Sequence, residues 1–279
     1  MSFQAQPAAP DIDVQIELVD RLSRSQLQPK FDSGAVWQLY EDQGGFEFDF
    51  TAPVFGELPY KRLSVDSSFS RATLRMSDPA MALVPQTAPL DYPLDELLIM
   101  HRLTQEQAIE LHGAGIVTSD GVGNLFVGHS GAGKSTTTRL WTALEDVEVL
   151  SDDRIIVRRE CVEKQLPHRA FGPVRNASVS RMRMYGTPWH GEAMYASPNS
   201  APLARIVILE HGRGNILTPL SPSQAVAELF ARSFVPFHRH EYVESALTFL
   251  QEVVEAVPVY RFAFEPDQRA VDTILNLRD

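Results

Sequence analysis

GNLFVGHSGAGKSTTTRLW, residues 123–141, is the stretch that decides the fold. Its middle follows the spacing Gly128-x-x-x-x-Gly133-Lys134-Ser135. A phosphate chain has to be wrapped by backbone N–H groups. Side chains there would block close approach and demand φ values that glycine alone adopts without strain. NLFV reads as a short buried strand entering the loop, and KSTTTRLWTALED as a helix leaving it. The loop therefore opens a helix, whose N-terminus adds free N–H donors and a favourable dipole. With ordinary residue usage such a match arises by chance in roughly 1 in 100 chains of this length, and the strand and helix on either side lower those odds further. The loop, Gly128, His129, Ser130, Gly131, Ala132, Gly133, Lys134, Ser135 and Thr136, is expected to hold the phosphates of ATP. Lys134 reaches the β- and γ-phosphates and Ser135 offers its hydroxyl to Mg²⁺.

A nucleotide enzyme also needs acid. RIVILE ends in Glu210 and has the form of an apolar strand capped by a carboxylate. The nearer feature is VEVLSDDR, a strand ending in Asp152 and Asp153 about twenty residues past the loop. Two adjacent carboxylates at a strand end can divide the work: one faces a metal bridged to the phosphates, the other takes a proton from an attacking hydroxyl.

Taken together, LHGAGIV, GNLFVGHSGAGKSTTTRLW and VLSDDRIIVR resemble the C-terminal catalytic domain of HPr kinase/phosphorylase and the nucleotide core of ATP-dependent phosphoenolpyruvate carboxykinase. The likeness covers residues 97–160, and 200–279 loosely. It implies an α/β fold of the phosphoenolpyruvate carboxykinase-like type, a phosphate-loop kinase core on a mixed sheet. It also implies roles: Asp152 as general base for a hydroxyl, Asp153 and Ser135 as Mg²⁺ ligands, and His112 beside the phosphate and metal. Homo-oligomers are known in that family. The chain departs from it in three ways. The E-x-R-G run that engages the protein substrate is absent, YGTPWHGE standing in its place as in HPr-kinase-like serine kinases. The N-terminal region has no counterpart, and the chain is too short for a carboxykinase. The phosphoacceptor is thus left open: a serine in a protein or peptide, or a small hydroxylated metabolite.

Between Arg154 and Arg183 the chain is locally basic, and Arg175 is the cation chosen there to offset γ-phosphate charge. In GTPWHG, Gly186 and Thr187 are candidates to contact phosphate or nucleotide, and Trp189 to line a pocket. His190 reads as incidental. His238 and His240 make a pair without a third ligand and are not read as a metal site. Cys161, the sole cysteine, reads as inert.

The remaining features set the frame. The chain has 279 residues and a formal net charge of −11, which gives it no global attraction for nucleic acid or an anionic membrane. One cysteine allows no intrachain disulfide, and MSFQAQPAAP has neither the basic nor the apolar part of a secretory signal. A cytoplasmic protein is expected. Residues 1–10 read as disordered and 1–95 as a β-rich region, with alternation at Ile12, Val14, Ile16 and Leu18 and a hairpin at Gly44 and Gly45. Residues 96–279 read as the catalytic domain, with a helix running to about Leu111 and a loop-rich stretch from Cys161 to Pro202. The favoured activity is phosphoryl transfer to a hydroxyl. A nucleotide hydrolase or switch, and a non-catalytic nucleotide-binding partner protein, are the rivals.

Overall fold

The computed structural model describes residues 10–42, 44–77, 89–144, 146–165 and 176–277. The segment 1–9, read as disordered, and Arg175 lie outside them. The chain is α/β, with two mixed sheets and five helices among the described residues. It divides into two compact units. One comprises Ala5–Gln105 with Pro236–His240, and the other Glu106–Val235 with Glu241–Asp279.

The N-terminal unit is built on a six-stranded sheet. Its strands are β1 (Asp13–Val19), β2 (Pro29–Asp32), β3 (Trp37–Asp42), β4 (Gly45–Phe50), β5 (Lys61–Asp66) and β6 (Arg71–Ser77), in the order β1-β6-β5-β4-β3-β2. Only β1 and β6 run parallel. Alternation decides the buried face: Phe46, Phe48, Phe50, Leu63, Val65, Leu74 and Met76 point into one core. Helix α1 (Leu94–Leu103) covers that core with Leu94, Leu97 and Leu98. The stripe expected on β1 is only half used. Ile12 and Val14 pack on the core, whereas Ile16 and Leu18 are exposed, because β1 is an edge strand and its apolar face outruns the core.

The C-terminal unit carries β7 (Ala108–Val117), β8 (Gly123–Val127), α2 (Lys134–Thr142), β9 (Glu148–Ser151), β10 (Arg154–Gln165), β11 (Asn176–Tyr185), β12 (Ser200–His211), β13 (Ile216–Pro219), α3 (Pro222–Phe230), β14 (Ser233–Phe234), α4 (His240–Ala256), β15 (Val259–Phe264) and α5 (Gln268–Leu275). The strand order is β11-β10-β7-β8-β12-β15-β13, with β9 and β14 also paired to β7. Strands β8, β12 and β15 are parallel and their neighbours antiparallel. Strand β11 pairs with β12 as well as β10, so β7, β8, β12, β11 and β10 close a circuit.

The sheet is buried on both faces. Leu125 and Val127 of β8 point to one core, which α3 and α4 complete with Leu229, Phe249 and Val253. Phe126 points to the other, closed by Trp141 of α2 and Ile274 of α5. Local sequence starts these helices where expected. Ser221 and Gln224 form a capping box with Pro222 at the first turn of α3, and Asp267 accepts the Arg269 N–H at the start of α5.

Two expected elements are corrected. The helix expected to run to Leu111 ends at Leu103, and residues 108–117 are strand β7. Ile109 and Leu111 enter one core while Ala114 and Ile116 enter the other. A strand buried on both faces reads as a continuous apolar run, which periodicity alone does not separate from a helix. Gln107, at φ 50°, makes the break. Of the stretch expected to be loop from Cys161 to Pro202, residues 161–165 and 176–185 are instead the paired strands β10 and β11 and residues 200–202 begin β12, whereas residues 186–199 form no named helix or strand, as expected; residues 166–175 lie outside the described residues.

Candidate functional site

Strand β8 delivers the loop. Gly133, at φ 104°, caps α2 in the left-handed region. A Cβ there would also lie 2.5 Å from the Phe264 ring, so backbone conformation and packing both demand glycine. At Gly128 a Cβ would meet that of Ala132 at 2.7 Å. The loop crest is held from outside: His211 Nε2 lies 2.7 Å from the Gly131 carbonyl oxygen.

Lys134 folds back into this loop. Its Nζ donates to the carbonyls of Gly128 at 2.8 Å and His129 at 3.1 Å, and the residue is 8 % exposed. Burial holds its pKa below the ordinary lysine value, with Asp153 pulling the other way.

Asp153 reaches the site from the β9–β10 turn. His112, on β7 opposite Arg154 in register, places Nε2 3.3 Å from Asp153 Oδ1. Arg154 Nε lies 3.3 Å from Asp153 Oδ2, and Arg154 Nη1 3.3 Å from the fully buried Glu110. The Arg154 guanidinium also lies over the rings of Phe234 at 4.4 Å and Trp189 at 5.4 Å. The hydrogen bond from His112 is the main force holding the Asp153 carboxyl below its usual range, helped by the Arg154 guanidinium and opposed by burial.

Asp152 has a different environment. It is 2 % exposed. Its Oδ1 accepts the N–H groups of Gly191 at 2.9 Å and Tyr195 at 3.2 Å, and Oδ2 accepts Ala193 N–H at 2.8 Å. The carboxylate thus pins the loop after β11. Gly191 permits the approach, since a Cβ there would stand 3.0 Å from Asp152 Oδ2. Asp152→Asn is expected to destabilise the C-terminal unit by about 3 kcal/mol, because it removes a charged acceptor and turns an amide donor toward a ring of donors. Chemical denaturation of the two proteins at pH 7 measures it. Equal stability would remove the pinning role.

These groups line one cavity of about 270 Å³, bounded by the loop with Lys134, Ser135 and Thr136, and by His112, Asp152 and Asp153, together with Arg139 and Glu192. Ligand pockets usually span about 300–1,000 Å³, so this one suits a phosphate chain rather than a whole nucleotide. A larger hollow of about 580 Å³ on the N-terminal unit includes Arg24, Asp32 and Asp49 in its wall. Each of these already has a partner, in Glu57, Gln38 and Arg62 respectively.

Among the described residues no cluster of three or more His, Cys, Asp or Glu could hold a metal alone. Magnesium does not require one. It commonly binds through one or two carboxylates plus substrate phosphates, and Asp153 with the Ser135 hydroxyl supplies hard oxygen donors in the same cavity.

Other expected residues stand apart. Gly186 and Thr187 do not line the cavity. Thr187 is buried with its hydroxyl on the Arg154 carbonyl at 2.8 Å, and a Cβ at Gly186 would lie 2.0 Å from the Ser197 carbonyl oxygen. Their role here is to pack the loop. Trp189 serves as a face for Arg154. Glu210 pairs with Arg261 at 3.0 Å. His190 is exposed, its Nδ1 3.3 Å from the Gly191 carbonyl oxygen. His238 belongs to the N-terminal unit, and Cys161 is a free, exposed thiol on β10.

Sequence reasoning missed Arg139, Glu192 and His211, and within the basic stretch it chose Arg175 over Arg154. Arg139 carried a usable signal: it lies four residues after Ser135 and so shares its helix face. Glu192 carried none beyond its place in the GTPWHGE loop. No helix among the described residues is long and apolar enough to cross a membrane. No known family model matches the chain, and no curated protein matches its sequence.

Proposed function

We propose that the C-terminal unit is a phosphate-loop kinase core of the phosphoenolpyruvate carboxykinase-like type, which binds ATP with Mg²⁺ and transfers the γ-phosphate to a hydroxyl. The observation that carries the reading is Lys134: its ammonium sits buried on the loop's own carbonyls, in the same cavity as Ser135 and Asp153. A polyanion entering the loop meets the free N–H groups at the start of α2 and a cation already in place. Asp153, held ionised by His112 and Arg154, and the Ser135 hydroxyl suit a divalent cation between phosphate oxygens. Bound there, that cation would offset charge on the transferring group. The mixed sheet and the Asp pair at the β9–β10 turn support the kinship with HPr kinase-like enzymes. The exposed lone thiol of Cys161 suits a reducing compartment such as the cytoplasm.

The test is incubation with γ-labelled ATP, Mg²⁺ and an extract of the source cells. An acid-stable labelled ester that forms with the protein and disappears with EDTA is the expected result. Free labelled phosphate alone would make the chain a hydrolase or switch. Binding of ATP without turnover would make it a nucleotide-binding partner.

A further inference from the structure

Three carboxylates line the cavity, and two of them are committed. Asp152 accepts three backbone N–H groups, two on Oδ1 and one on Oδ2, which locks its carboxylate to the 191–195 loop. Asp153 is bound on one oxygen by His112 and on the other by Arg154. Oxygens already engaged by fixed donors are badly placed to receive the proton of an incoming hydroxyl. The third is Glu192. It is exposed and lines the same cavity as Lys134 and Ser135, and among the described residues it makes no hydrogen bond or ion pair. Its neighbours Gly191 and Ala193 are both fixed on Asp152. The backbone at residue 192 is therefore held rigidly, while its side chain has no partner.

We propose that Glu192, and not either aspartate, is the general base of the transfer; this rests on the phosphoryl-transfer reading above. A carboxylate is repelled by a triphosphate, so Glu192 faces the acceptor side of the cavity. The acceptor O–H gives its proton to a Glu192 oxygen as the hydroxyl oxygen's lone pair forms the new O–P bond to the γ-phosphorus. The bond from that phosphorus to the β–γ bridging oxygen breaks, and its electron pair leaves with ADP. Glu192 then returns the proton to water. The other ionisable groups of the cavity keep separate tasks: Lys134 and Arg139 face the anionic side, His112 serves Asp153, and Asp152 holds the loop in position.

The experiment compares wild type, Glu192→Gln, Glu192→Asp and Glu192→Ala, measuring labelled-ester formation in the extract assay and MgATP affinity by calorimetry. Glu192→Gln is expected to slow transfer by about 10²–10⁴-fold while MgATP affinity stays within threefold. Glu192→Asp should retain part of the rate. Glu192→Ala should recover rate when formate is added, because a small carboxylate can enter the vacated space and accept the proton. Transfer by Glu192→Gln within threefold of wild type would overturn the proposal. So would an undiminished kcat with a raised KM for the acceptor, or failure of formate to restore Glu192→Ala. If wild type itself forms no ester, the phosphoryl-transfer reading has failed and the base falls with it. That outcome is distinct because it appears before any substitution is made.

Discussion

Lys134→Met is expected to weaken MgATP binding by about 100-fold and leave the empty protein as stable as wild type, or slightly more so. The two effects have one cause. The Lys134 ammonium is desolvated; the carbonyls of Gly128 and His129 hold it, and the charges of Asp153 and Asp152 offset only part of the cost. Burial accordingly holds its pKa down, which means that the charged form is at a disadvantage there. Methionine keeps the buried stem and fills the same space without the charge, so the fold gives up little. The nucleotide gives up much more. A charge-assisted hydrogen bond to phosphate contributes about 1.5–3 kcal/mol, and removing one lowers affinity by about one or two decades. Titration calorimetry for binding and thermal unfolding with and without MgATP measure both halves. An affinity within threefold of wild type would mean that the loop does not hold a triphosphate. A sharp loss of stability in the empty protein would mean that Lys134 is there for the fold.

The loop was legible because its requirements are local. The turn from β8 into α2 is written in a few contiguous residues, and Gly133 shows why: its φ of 104° at the start of α2 is a demand of the local chain. Residues assembled from distant segments were not legible. Asp152 receives Gly191 from 39 positions away, after a complete two-stranded ribbon. Nothing in VLSDDR distinguishes a carboxylate that will be ringed by N–H groups from one that will face a metal. The resemblance therefore made Asp152 a base, whereas its surroundings suit a loop anchor. The same limit applies to β7. Its two-sided burial depends on β8 and β10 flanking it, and without them LHGAGIV continues the apolar pattern of the helix before it. In the N-terminal unit the hairpin expected at Gly44 and Gly45 joins β3 and β4, and Phe46, Phe48 and Phe50 enter the core at every second position, because a sheet with one buried face writes its period directly into the sequence.

Acidification from pH 7 to pH 5 is expected to remove about 2–4 kcal/mol of stability from the N-terminal unit, through His101 and His238. His101 of α1 is fully buried, its ring stacked on Phe69 at 4.6 Å and its Nδ1 2.5 Å from the Leu97 carbonyl oxygen. His238, from the segment Pro236–His240, lies with its ring 5.0 Å from that of His101 and 6.0 Å from that of Phe46. Arg239 covers Phe46 and pairs with Glu41. Burial, reinforced by the charges of His238 and Arg239, lowers His101 to about 3; burial and Arg239 lower His238 to about 4, Glu41 opposing. Both folded-state values lie below the ordinary 6.5, so the unfolded chain binds more protons than the native one between pH 6.5 and pH 4. Stability is therefore complete above about pH 6.5 and falls as the pH drops through that window, by about 1.4 kcal/mol per unit for each histidine. At pH 5 that is about 2 kcal/mol for one, and up to twice that for the pair. Lowered carboxylates such as Asp66 act in more acidic solution, so this window belongs to the histidines. Hydrogen exchange over β4 at pH 7 and pH 5, corrected for intrinsic rates, reads the N-terminal unit separately from the rest of the chain. Protection should fall in wild type, and by about half as much in His101→Phe, which keeps the stacking but cannot be protonated. Equal protection at both pH values in wild type would show that neither ring resists its proton. An unchanged loss in His101→Phe would assign the whole effect to His238.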